Sequence, residues 1–177
     1  MSWPYQVPED IEDEALLSSA SSVDANVLPG ARLRPSQFIG QVASQAGAAL
    51  RASGLPFQVR TRGRLAQFWS GKDASIHFEV WVHEREARLE IGFHMEADEA
   101  RNAALYRELD KCLLDIQVQL GGGVWLEPWD KGWVRLYETQ PLWPLDTVRV
   151  DDTADRVVAF VQVIQPVYEA IIEHLDG

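Results

Sequence analysis

Two runs of strict alternation limit this chain more than anything else in its sequence. Residues 76–83 place Ile76, Phe78, Val80 and Val82 on one side and His77, Glu79, Trp81 and His83 on the other. Residues 88–96 repeat the pattern, with Leu89, Ile91, Phe93 and Met95 against Arg88, Glu90, Gly92, His94 and Glu96. A period of two is the signature of a strand with one apolar face. The four residues between the runs, Glu84 to Ala87, are the length of a tight hairpin connection. The pair therefore reads as an antiparallel hairpin whose register sets His77 opposite His94, Glu79 opposite Gly92, Trp81 opposite Glu90 and His83 opposite Arg88.

Around this hairpin the sequence predicts a helix opening at Pro35-Ser36 and closing at Gly54-Leu55-Pro56, with Phe38, Val42, Ala46, Ala49 and Leu50 at helical spacing. Residues 57–61 alternate and are expected to continue through 65–69 as one strand. A helix over 100–120 carries the stripe Leu105, Leu109, Cys112, Leu113, Ile116 and Leu120, and ends at Gly121-Gly122-Gly123. A second hairpin, residues 124–138, turns at Asp130-Lys131-Gly132. A last helix, about 154–175, is expected to be capped by Asp151-Asp152-Thr153 and kinked or broken at Pro166. The sum is an α+β domain over residues 35–177, in the order α-β-β-β-α-β-β-α. It has an antiparallel five-stranded sheet with helices on one face. Residues 1–34, where Glu9 to Glu14 supply an acidic patch, read as an N-terminal arm that is partly disordered or extended and that can anchor through Trp3, Tyr5, Leu16 and Leu17.

Charge narrows the function classes. A formal net charge of -11 repels phosphate backbones and anionic membranes, so direct nucleic-acid binding and membrane docking are not expected. The single cysteine excludes an intrachain disulfide and a zinc finger. Its place on an apolar helical stripe makes it a small core residue. No basic-then-apolar leader opens the chain, so the cytoplasm is the expected location. There is no phosphate-binding glycine loop and no Gly-x-Ser-x-Gly elbow. His77-Phe78-Glu79 has the spacing of the deaminase His-x-Glu, but no Cys-x-x-Cys completes it. Catalytic residues, cofactors and a bound metal are accordingly not expected.

Two constellations remain. Trp81, Trp125, Trp133, Arg135 and Tyr137 alternate onto the polar side of the sheet, and aromatic residues with arginine are the usual anchors of protein interfaces. They imply a non-catalytic protein-binding or chaperone-like module, with a protein partner or a second copy, as in a homodimer. The alternative centre is His77, Glu79, Glu90 and His94, whose donors suit a metal-dependent or hydrolytic enzyme. Against it, polar sheet faces are ordinarily solvated, and Arg60, Arg62 and Arg64 are expected to pair with Glu79 and Glu90 as a cross-strand ladder. The same arginines define a third reading, an accessory module of a nucleic-acid-processing system.

In element order, length and acidity the chain resembles type III secretion chaperones and the YbjN-like domains related to them, which implies a small, dimeric cytoplasmic binder. A second resemblance rests on Leu89-Glu90-Ile91, Asn102, Leu105-Tyr106, Leu109, Ile116, Leu120-Gly121, Leu126-Glu127 and Trp133-Val134-Arg135-Leu136-Tyr137. That series is similar to an uncharacterised accessory domain appended to restriction-type nucleases. It implies an interaction role and carries no catalytic residue over.

Overall fold

The structure, a computed structural model, describes residues 30–177. The N-terminal arm expected over residues 1–34 thus lies mostly outside the described residues. Those that are described, 30–34, are tied down: Leu33 donates its N–H to the Leu145 carbonyl, and Arg32 bridges to Asp146.

The elements are α1 (Pro35–Ala52), β1 (Phe57–Arg62), β2 (Leu65–Ser70), β3 (Ile76–His83), β4 (Arg88–Met95), α2 (Glu99–Leu120), β5 (Trp125–Pro128), β6 (Val134–Pro141) and α3 (Thr147–Asp176). The sheet is fully antiparallel, in the order β1-β2-β3-β4-β6-β5.

The six strands correct the five expected. Gly63 adopts φ +55°, a left-handed conformation that glycine takes without steric cost, so Gly63-Arg64 form a two-residue turn. The segments 57–62 and 65–70 therefore fold back on each other, with Arg62 opposite Leu65, instead of running on as one strand.

The last helix also begins earlier than expected. The Asp146 side chain accepts from the Arg149 N–H at 2.9 Å and caps the helix there, and Val150 and Ala154 of its first turns are buried. Of the kink or break expected at Pro166, the break is absent: α3 continues through it. Proline removes one backbone bond from a helix interior. Burial of Phe160, Val161, Ile164 and Ile171 on both sides of it holds the helix on the core.

Buried residues of all three helices and the apolar sides of the strands form one hydrophobic cluster, with Phe38, Phe68, Phe78, Phe93 and Phe160 among its largest members. Glu138 points to this side and is met by Arg156 of α3, which also donates to the Leu120 carbonyl. Among the described residues no helix is long and apolar enough to cross a membrane.

Candidate functional site

The register read from the alternation is the one observed, His77 opposite His94 and Glu79 opposite Gly92. Pairing of β4 with β6 then sets His94 beside Arg135 and Gly92 beside Tyr137. Pairing of β2 with β3 sets Gln67 beside Glu79, and β5 adds Glu127 opposite Arg135. Hydrogen-bond geometry thus delivers one polar row, Gln67, Glu79, His77, His94, Glu90, Arg135 and Glu127, to the face away from the hydrophobic cluster.

That face is not solvated, contrary to expectation. His94 is 0% exposed, Glu90 1%, His77 2% and Glu79 4%. Rings flank the row. His77 and His94 stack at 5.7 Å, Trp129 meets His94 edge-on at 5.5 Å, and Trp81 lies 3.9 Å from His83. Whether the N-terminal arm covers this face falls outside the described residues.

Each carboxylate has a cationic or amide partner. Arg135 Nη1 donates to both oxygens of Glu90 at 3.0 Å, while its Nε and Nη2 donate to Glu127 Oε1 at 3.0 and 2.6 Å. The guanidinium lies 4.1 Å from the Tyr137 ring and 5.0 Å from that of Trp129. Gln67 Nε2 donates to Glu79 Oε2 at 3.1 Å and stands 3.0 Å from His77 Nε2. His77 Nδ1 donates to the Ala74 carbonyl at 2.9 Å. The expected arginine ladder is absent: Arg60 bonds Gln67 and Arg64 bonds Glu84, because β2 intervenes between β1 and β3.

Like His83 Nε2, His94 lacks such a bond. Its Nε2 lies 3.4 Å from Glu90 Oε1 and 3.9 Å from Glu79 Oε1, out of line for a hydrogen bond. Neither ring nitrogen has a hydrogen-bond partner among the described residues. Gly92 makes room for this ring. A Cβ at residue 92 would stand 3.1 Å from His94 Nε2 and 2.9 Å from Tyr137 Cβ.

The charges are tuned accordingly. Burial pushes the Glu90 carboxyl up, but the imidazoles of His83 and His94 and the Arg135 guanidinium outweigh it and hold the group far below the usual carboxylate range. Glu79 is likewise lowered, burial being overcome by His94, His77 and Gln67. Burial disfavours the His94 cation, yet the Glu79 and Glu90 charges raise it above its ordinary value. Burial raises Glu96 against the pull of His77 and His94.

The aromatic surface is not assembled as one exposed patch. Arg135 is buried in the ion network, and Trp81, Trp133 and Tyr137 are half-buried; Trp125, opposite Tyr137 on the edge strand, is 62% exposed. Sequence reasoning missed Gln67, Glu96 and Arg135 as parts of the His/Glu centre. Gln67 was findable from the Gly63 turn, which fixes its register through β2. Arg135 was not, since β4 and β6 are separated by a helix. Comparison with protein-family models, curated proteins and solved structures finds no match.

Proposed function

We propose that the chain is a ligand-binding protein whose working site is the enclosed centre of His77, Glu79, Glu90 and His94, with general acid–base hydrolysis as the reaction class open to it. The single supporting observation is His94, withdrawn from water with neither ring nitrogen in an aligned hydrogen bond among the described residues, though the Glu90 and Glu79 carboxylates stand 3.4 and 3.9 Å from Nε2. A buried polar group without a partner costs about 1–3 kcal/mol. Buried ion networks are also poor sources of stability, because desolvation offsets their attraction. A centre that is costly to the fold, and in which Glu79, Glu90 and His94 are shifted from their ordinary values, has the character of a functional site. The test is thermal unfolding of tag-free protein with Zn²⁺, Mn²⁺, Mg²⁺, inorganic phosphate and acetate, beside a His94→Leu variant. At least one of these probes raises the wild-type midpoint and leaves the variant unmoved. If none does so, the reading fails.

One observation favours a second reading, the protein-binding or chaperone-like module. Trp125 is 62% exposed on edge strand β5, and Leu114 and Val118 of α2, a helix in contact with β5, are 71% and 77% exposed. Large apolar side chains exposed near an unpaired edge suit docking of a protein or a second copy. On this reading Trp125→Glu abolishes self-association measured by sedimentation, or else capture of a protein partner. Unchanged sedimentation and capture would remove it.

A further inference from the structure

We propose that His77, His94 and Glu96 form a site for one first-row divalent transition-metal ion, zinc being the first to test; the proposal rests on the reading of this face as a ligand site. One donor atom from each of the three side chains lies within 4.8 Å of the other two. Small side-chain rotations bring donors this close within the roughly 2.0–2.2 Å of a single shared ion that zinc ligation needs.

The donor set fixes the class of ion. Two imidazoles and a carboxylate suit zinc and its first-row neighbours, whereas magnesium and calcium favour oxygen throughout. Three protein ligands leave a coordination position for water or substrate, as in catalytic zinc centres. The second, independent observation is again His94: fully buried, next to the other two ligands, with no hydrogen-bond partner for either nitrogen among the described residues. Coordination gives such a ring the partner it lacks.

The surroundings match. His77 and His94 face each other on one rung of the central strands β3 and β4, which holds both rings on rigid backbone. His77 Nδ1 donates to the Ala74 carbonyl, the kind of outer contact that positions metal-binding histidines, and an ion at Nε2 takes the place of the Gln67 and Glu79 contacts made there. The Glu79 and Glu90 carboxylates lie 3.9 and 3.4 Å from His94 Nε2 and add negative potential beside the ion.

Tag-free, full-length protein stripped with chelator and titrated with Co²⁺ tests this by visible absorption. The expected result is a single equivalent bound per chain, with the d–d bands of nitrogen and oxygen ligation, displaced by Zn²⁺. His77→Ala and His94→Ala abolish the bands. Either variant can also disturb the sheet, so Glu96→Gln, at a half-buried position, is the decisive partner: shown folded by circular dichroism, it weakens binding by about tenfold or more. No bands in wild type, or unchanged binding in folded Glu96→Gln, overturns the site. If metals do nothing while phosphate or acetate stabilises wild type and not His94→Leu, the metal proposal falls and the broader ligand reading stands. If no probe discriminates His94→Leu, both fall.

Discussion

At the scale of single residues, the polar face depends on two positions outside the proposed ligand set, Gly92 and Arg135. Gly92 is the gap that admits His94: a Cβ there would stand 2.9 Å from Tyr137 Cβ and 3.2 Å from the Leu136 carbonyl oxygen. Both are parts of the paired β6 strand, which yields less readily than a long side chain would. Gly92→Ala is therefore expected to destabilise the fold by about 1–3 kcal/mol, seen as a lower urea midpoint at unchanged slope. Arg135 is the counter-charge of Glu90. Arg135→Ala leaves that buried carboxylate only Arg88, His83 and His94, at 3.4 to 3.5 Å, and is expected to cost up to about 3 kcal/mol. Arg135→Lys recovers only part of this loss, because an ammonium cannot bond Glu90 and Glu127 at once through a planar fork. Wild-type stability in Arg135→Ala would show that Arg88, His83 and His94 hold Glu90 without it. Glu90 also sets an acid limb. Its folded-state carboxyl lies below its ordinary value of 4.5, so its contribution is complete above that value and is lost as pH falls below it. Between about pH 5 and pH 3 the urea midpoint of wild type falls more steeply than that of Glu90→Gln.

At the scale of elements, the turns and caps decide which strands and helices exist. Gly63 at φ +55° makes the β1–β2 hairpin. Gly63→Val places a β-branched residue in a left-handed conformation and lowers the unfolding midpoint, whereas Gly63→Asn is tolerated far better. A midpoint unchanged in Gly63→Val would mean that the turn has another geometry. The same turn shows why some of the fold was legible in the sequence and some was not. The β3–β4 hairpin was readable down to its register, because alternation persists over eight residues in each strand and one face is apolar throughout. In β1 only Phe57 is buried, and Arg60 and Arg62 are exposed on an edge strand, so periodicity carried no sign that the chain reverses. Asp151 and Asp152 resembled a cap, yet the helix is capped at Asp146, and Val150, Ala154 and Val157 already follow helical spacing. At Pro166 the local rule gave way to tertiary packing. In the site, histidine and glutamate positions were legible from alternation. The closure of the polar face was not, because it depends on β6 lying beside β4 and on rings brought from loops.

At the scale of the molecule, the sheet separates two interiors of opposite chemistry. One is a hydrophobic cluster shared by three helices and the apolar strand positions. The other is a row of polar and titratable groups buried almost as completely, on strands β3 and β4 whose two faces are therefore both withdrawn from water. The first holds the chain folded; the second adds little net stability, since desolvation offsets the attraction between its charges. The most direct test of this division is urea unfolding of a Glu79→Leu, His94→Leu double variant, which removes one carboxylate and one imidazole together and fills their space with carbon. If the row is there to bind, the variant is as stable as wild type or more so, by up to about 4 kcal/mol, and no longer responds to the probes that stabilise wild type. If the variant is strongly destabilised and wild type responds to no probe, the charged row is a structural core and the account is wrong.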